Sequence, residues 1–232
     1  MYYYDLLYIL PALIFSLWAS LRVKLTYKKF SAVRASSGLT AADAARRILD
    51  ANELTSIPIE RIAGELTDHY DPSAGAVRLS EAVYGSTSIA AIGVAAHECG
   101  HAIQHARGYA PLKIRSAIIP ATNIGSRLST PLLLLGIFLS YYSAQWISLA
   151  YIGVLLFGLC VLFQLVTLPV EFNASRRALS ILRTDGMLSE NELSGARSVL
   201  TAAALTYVAA LATAALQFLR LLAIARGNDR RR

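Results

Sequence analysis

Long apolar runs separated by one polar stretch organise this chain. Leu6 to Leu21 is apolar apart from Pro11 and a few small polar residues, close to the lower limit of about 17 residues for a membrane-spanning helix. Thr130 to Tyr142 and Ile147 to Val170 are two further runs, joined by Ser143-Ala144-Gln145-Trp146. They predict a helical hairpin with Tyr141, Tyr142 and Trp146 at the membrane–water interface, where such rings concentrate. The first arm is short, so the helix is expected to begin ahead of Thr130, near Ile118. A fourth run covers Val199 to Leu219. The pattern predicts a mainly α integral membrane protein with about four transmembrane helices. It divides the chain into an N-terminal anchor (1–21), a water-facing region (22–115), the hairpin (116–170), a polar helix (171–197) and a last transmembrane helix with a basic tail (198–232).

Between the first run and the hairpin, about Arg34 to Tyr109 is polar enough to fold in water. Thr40-Ala41-Ala42-Asp43 opens a helix with Thr40 as N-cap, and Ala44, Ile48, Leu49 and Leu54 mark its inner face. Ile57 to Ile62 and Ala76 to Ser80 alternate with the period of two expected of strands, and Asp71-Pro72-Ser73-Ala74-Gly75 between them carries turn residues. A short loop then leads to the small and apolar residues Ser88 to Ala96, the start of a buried helix with Ser86 as its expected cap. Many proteases hold an extended substrate on a sheet edge through main-chain hydrogen bonds. Ala76, Val77, Arg78, Leu79 and Ser80 are the candidate edge, the alternative being a strand with no substrate role.

Composition and charge sharpen the membrane assignment. The 232 residues are 55% hydrophobic, with a mean hydropathy of +0.47, too apolar for an ordinary soluble domain. The net charge of +7 does not point to nucleic acid, because the basic residues cluster beside apolar runs. Arg22, Lys24, Lys28, Lys29 and Arg34 follow the first run, and Asp5 is the one charge before it. The positive-inside rule then places the N-terminus outside and the polar region in the cytoplasm. No basic region precedes the first run, and no small-residue cleavage site follows it, so it reads as a retained anchor. Four crossings would put Arg226 and Arg230-Arg231-Arg232 outside, against the same rule; either the rule is outvoted or the last run does not fully cross. Cys99 and Cys160, one inside the motif described next and one inside an apolar run, argue against a disulfide framework.

The chemistry lies in His97-Glu98-Cys99-Gly100-His101. Residues four apart share one helix face, so His97 and His101 can grip a single metal ion. Glu98 is placed to take a proton from an attacking water, and a zinc ion lowers the pKa of water from about 15.7 to about 7. The motif predicts a zinc hydrolase, most simply a metalloprotease, although two histidines on a helix also occur as packing or surface residues. A structural zinc site would need four protein ligands, usually rich in Cys, whereas a catalytic one uses three and leaves a position for water. Cys99 is rotated away from the histidine face and reads as a small packing residue. For the third ligand, His105 lies about 12 Å along the axis from His97 at 1.5 Å per residue, too far to share one ion. His69 lies in a loop and stays available. Glu171 opens the polar stretch Glu171 to Ala178 directly after an apolar run, where a carboxylate is costly unless solvated or partnered; it can equally be a helix-start acid favoured by the macrodipole.

Four segments carry a family resemblance: Asp68-His69-Tyr70-Asp71-Pro72; Leu79-Ser80; Ala95-Ala96-His97-Glu98-Cys99-Gly100-His101-Ala102-Ile103-Gln104; and Leu168-Pro169-Val170-Glu171-Phe172-Asn173-Ala174-Ser175. Together they resemble the YugP-type neutral zinc metallopeptidases, bacterial membrane proteins related in outline to the HtpX and CAAX-processing membrane proteases. The resemblance runs from the first anchor to the last apolar run. It implies a small α+β zincin-like (gluzincin) catalytic domain at the membrane surface, zinc held by His97, His101 and Glu171, and Glu98 as general base. It further implies a multi-pass protein of the bacterial cell (inner) membrane, with its site on the cytoplasmic side, cutting membrane or misfolded proteins. HtpX proteases often carry an acid four residues after the glutamate ligand; here that place is Ser175, a departure that leaves a ligand's outer partner unassigned. His69, Asn173, Arg176 and Tyr207 are candidates to stabilise the oxyanion, with a turn role as the alternative for His69. Competing readings are a zinc-binding membrane scaffold or adaptor without protease activity, and an intramembrane protease. Gln104, His105 and Arg107 close after the motif favour a surface site over an intramembrane one. A transporter is disfavoured by the few charges in the apolar runs. Small residues in Thr201 to Ala204 and Ala209 to Ala212 permit close helix packing within one chain or in an oligomer.

Overall fold

Helix-forming residues fill most of the chain, while β-branched residues and turn formers concentrate around 55–80, and the secondary structure follows that division. The structure, a computed structural model, describes residues 5–229; positions 1–4 of the anchor and Arg230-Arg231-Arg232 of the basic tail lie outside the described residues. A π-helical turn, Asp5–Ile9, leads into α1 (Leu10–Ser31), followed by α2 (Ala41–Ala51), β1 (Ile59–Ile62), β2 (His69–Asp71) and β3 (Ala76–Ser80). Then come the single turn α3 (Glu81–Tyr84), α4 (Ile89–Ala106), α5 (Ala110–Ser140), a 3-10 turn (Ala144–Trp146), α6 (Ile147–Thr184) and α7 (Glu190–Asp229). Among the described residues the protein is thus mostly helical with one small mixed sheet.

Among the described residues, three helical stretches are long and apolar enough to cross a membrane: Leu6–Ser31, Ala144–Thr184 and Glu190–Asp229. Helix α5 contains the expected first arm of the hairpin but begins at Ala110, well ahead of Ile118. It is not one of the three. Its leucine-rich run is short, and Asn123, Ser126, Arg127, Ser129 and Thr130 precede it.

The residues group into two compact units that interleave along the chain. One comprises Met1–Ala19, Ile114–Leu168 and Thr206–Arg232; the other comprises Ser20–Lys113 and Pro169–Leu205. In the first unit, glycines let α5 and α6 touch backbone to backbone. A Cβ on Gly125 would lie 2.7 Å from the Leu156 carbonyl oxygen, and one on Gly136 would collide with the backbone nitrogen of Ala150. Close approach through small residues is how helices associate where no hydrophobic force separates side chain from solvent. Leu133, Ala150, Val154, Leu221 and Ala225 form the buried cluster of this unit. The Tyr151 hydroxyl donates to Asp229 at 3.1 Å and Asn228 donates to the Ser140 hydroxyl at 3.2 Å, so the C-terminal end of α7 sits beside the α5–α6 turn.

The second unit is built on α2, α4 and the sheet. Thr40 and Asp43 close a reciprocal capping box, Asp43 N–H donating to Thr40 Oγ1 at 3.1 Å and Thr40 N–H to Asp43 Oδ2 at 3.2 Å. Ala44, Ile48 and Leu49 are fully buried; α2 ends at Ala51, so Leu54 packs on the same core from the following turn. Helix α4 is capped by Ser88, whose hydroxyl accepts from Ala91 N–H at 3.2 Å. Ser86 is not the cap: it lies too far from the first helical residue and donates instead to Ser88 Oγ at 3.1 Å.

Strand order is β1-β3-β2, with β1 parallel and β2 antiparallel to β3. Ala76 to Ser80 is therefore the central strand, not the expected edge. Its fully buried Val77 and Leu79 require paired backbone on both sides, supplied by β1, by β2 and by Asp68, which accepts from Ser80 N–H at 2.7 Å. On the opposite face Arg78 ties both neighbours, reaching Glu60 at 2.8 Å and Asp71 at 2.6 Å.

Gly136→Val is expected to destabilise the first unit by about 3 kcal/mol, read as loss of monodisperse, folded protein on size exclusion in detergent. Gly158→Ala, where a Cβ would meet the Phe218 ring at an ordinary 3.5 Å, is expected to behave as the parent.

Candidate metal centre

Helix α4 presents each residue of its motif to a different neighbour. Cys99 turns toward α2, its thiol 3.6 Å from the Ala45 carbonyl. Burial pushes that thiol's pKa up, which makes Cys99 a packing residue rather than a nucleophile. Gly100 turns toward α6, where a Cβ would come within 2.7 Å of the Ala174 carbonyl oxygen and 3.2 Å of its Cα. The two helices therefore cross in direct backbone contact. Glu171 lies one turn before Ala174, and His97 and His101 lie either side of Gly100, so the crossing converges all three side chains.

His97 Nε2 and His101 Nε2 are 3.2 Å apart, and Glu171 Oε2 lies 3.3 Å from the first and 3.5 Å from the second. These three donors fit a metal ion. Zinc bonds of about 2.0–2.1 Å at tetrahedral angles put neighbouring ligand atoms about 3.3 Å apart, and two imidazoles with one carboxylate are a three-ligand set of the kind that leaves a fourth position open. Side-chain exposures of 14%, 13% and 4% for His97, His101 and Glu171 make the site sheltered yet reachable. Burial disfavours a charged His101 ring, but donation from the ring to the Glu171 carboxylate and the nearby negative charges of Glu98 and Glu171 outweigh it and hold its pKa above the usual histidine value.

Each histidine has a partner on its far nitrogen. Ser175 Oγ lies 3.1 Å from His97 Nδ1, and Gln104 Oε1 lies 3.0 Å from His101 Nδ1. Ser175, the point of departure from the acid pattern, thus contacts a histidine by its hydroxyl. Glu98 is buried at 8% exposure and its Oε2 accepts from Tyr70 N–H of β2 at 2.9 Å. The edge strand beside Glu98 is therefore β2.

The remaining residues singled out from sequence divide. His69 is exposed, its Nδ1 2.8 Å from the Thr67 carbonyl, and its register partner is Arg78 on the polar face of the sheet. Tyr70 points the other way, its hydroxyl 2.8 Å from His105 Nδ1. Asn173 Oδ1 accepts from Gln104 and from Arg177. Arg176 is exposed, and Tyr207 belongs to the other compact unit. Sequence reasoning missed the contacts of Gln104 and the Tyr70 main chain. Gln104 follows His101 by three residues, a same-face spacing that marks it as a neighbour of that ring.

A two-histidine, one-carboxylate centre beside a buried glutamate, in a chain with membrane-length apolar helices, defines a class of protein. The chain belongs to the family described as "Putative neutral zinc metallopeptidase", which it matches over residues 5–226. It is 48% identical over 215 residues, covering 93% of each chain, to "Putative membrane protease YugP" of Bacillus subtilis (strain 168). No solved structure matches it. The family implies zinc as the metal and a zinc peptidase in general terms.

Replacing Gly100 by Ala must push α4 and α6 apart at the crossing. The expected outcome is a destabilisation of about 1–3 kcal/mol together with less zinc retained per chain after dialysis, measured by thermal unfolding and elemental analysis.

Proposed function

We propose that the chain is a membrane-bound zinc endopeptidase that hydrolyses peptide bonds of membrane or misfolded proteins. The observation that carries the reading is the convergence of His97, His101 and Glu171 within 3.5 Å of one another, next to a glutamate positioned by main chain. His97, His101 and Glu171 hold the ion. Zinc, when bound, supplies a Lewis acid that makes water more acidic and polarises a carbonyl. Glu98 acts as general base, taking a proton from the water that attacks the peptide carbonyl and delivering it to the amine as the C–N bond breaks. Tyr70 N–H fixes one oxygen of Glu98, leaving the other for this exchange. An extended substrate has the open side of β2, rather than β3, as its nearest strand edge. Asn173 remains a candidate oxyanion donor through its amide nitrogen, because its oxygen is already engaged. The catalytic unit is of the gluzincin type, with two histidines from one helix and a glutamate from a second.

Four crossings, by α1, α5, α6 and α7, are the topology we favour. The basic cluster after the first apolar run supports a cytoplasmic site by the positive-inside rule. The C-terminal end of α7 beside the α5–α6 turn supports complete passage of the last helix, with the charge rule outvoted at Arg226 and the basic tail.

Two variants of the full-length protein in detergent test the reading. Glu98→Gln is expected to keep zinc at one ion per chain and lose peptide hydrolysis by about 10²–10⁴-fold, assayed on a denatured membrane protein. Retained hydrolysis would remove Glu98 from the mechanism. Glu171→Ala is expected to lower the zinc content measured by elemental analysis; an unchanged content would transfer the third ligand to another residue. Zinc-loaded parent protein that cuts no denatured substrate would favour the scaffold reading.

A further inference from the structure

Gln104 is fully buried, three residues beyond His101, and its side chain bridges α4 and α6. Its amide nitrogen lies 2.8 Å from the Val170 carbonyl and 3.0 Å from Asn173 Oδ1, and its oxygen lies 3.0 Å from His101 Nδ1. Which end is nitrogen follows from obligate partners. An arginine Nε only donates and a main-chain carbonyl only accepts. Arg177 Nε donates to Asn173 at 2.8 Å, so Asn173 presents its oxygen there. Gln104 therefore faces two acceptors, Asn173 Oδ1 and Val170 C=O, and that end must be its NH2. The other end is a carbonyl, which can only accept, so the hydrogen on the neutral His101 ring sits on Nδ1. The lone pair is then on Nε2, the atom that faces His97 Nε2 and Glu171 Oε2.

We propose that Gln104 is a positioning residue: it selects the tautomer in which His101 offers Nε2 to the metal, and it locks the helix bearing Glu171 to the motif helix. The inference rests on the zinc reading above. A buried amide that left either end unsatisfied would cost its full desolvation, so the chain from Arg177 through Asn173 and Gln104 to His101 holds as a unit. The same residue bonds the carbonyl of Val170, the neighbour of Glu171. One side chain thus sets the orientation of one ligand and the placement of another, the role outer partners take at metal sites.

The test titrates zinc into full-length protein in detergent against a chromophoric chelator, comparing the parent with Gln104→Met. Methionine fills a similar volume without hydrogen bonds. Affinity is expected to fall about 10–100-fold. An equal affinity overturns the role of Gln104 and leaves the zinc reading standing; a parent that binds no zinc overturns both. A second measurement does not depend on how well Gln104→Met folds. In zinc-loaded protein with His69→Asn and His105→Asn, histidine ring ¹⁵N spectra report His97 and His101, told apart by the shift that Ser175→Ala causes at His97. His101 is expected to carry its hydrogen on Nδ1 and to bind through Nε2; a hydrogen on Nε2 overturns the assignment.

Discussion

The meeting of His97, His101 and Glu171 depends on two helices touching backbone to backbone at Gly100 and Ala174. Any side chain at that crossing would hold α4 and α6 apart, and side chains as short as histidine and glutamate would then no longer meet. With no Cβ in the way, His97 and His101 from one helix and Glu171 from the other lie 3.2–3.5 Å apart. The small residues through α4 serve the same end: Gly93 meets Ala196 at 3.4 Å for a notional Cβ, so the motif helix packs closely along its length. Interiors packed at crystal density transmit displacement rather than absorb it, and here that rigidity is what fixes the donor triangle.

Around that crossing, the far nitrogens of the histidines and one oxygen of Glu98 are paired, and the pairing carries information. Ser175 and Gln104 occupy the far nitrogens of the two histidines, and β2 offers Glu98 a main-chain N–H. The sheet is thus more than a support for α4. Because β3 is consumed by β1, β2 and Asp68, β2 alone borders Glu98 with an open side. The Tyr70 side chain reaches His105 from the same strand, tying β2 to the last turn of the motif helix.

The first unit follows the same rule of close approach. Gly125, Gly136 and Gly153 let α5 and α6 approach to backbone contact. Polar pairs at one end, Tyr151 with Asp229 and Asn228 with Ser140, fasten the last helix to the turn. Large apolar side chains of this unit, Leu13, Leu17, Leu134, Phe138 and Leu155 among them, are exposed.

What the residues alone determined is local. Helical spacing put His97 and His101 on one face and turned Cys99 away, because 3.6 residues per turn is a property of the helix and not of its surroundings. Thr40 with Asp43 was legible as a cap, and three of the four apolar runs as membrane-length helices. Sequence left Glu171 and His69 as open alternatives, separated there by a family resemblance; the crossing at Gly100 brings Glu171 to the histidines and leaves His69 on the polar face of the sheet. The order of the strands was out of reach, since a period of two looks the same at an edge and at the centre, and so Ala76 to Ser80 was misplaced. Ser88 over Ser86 turned on two residues of helix boundary. Gln104 was visible as a same-face neighbour of His101, but its meaning required Val170, Asn173 and Arg177 from a helix some seventy positions away. Spacing within an element is set by backbone geometry; which elements meet, and at what distance, is set by packing that no local stretch encodes.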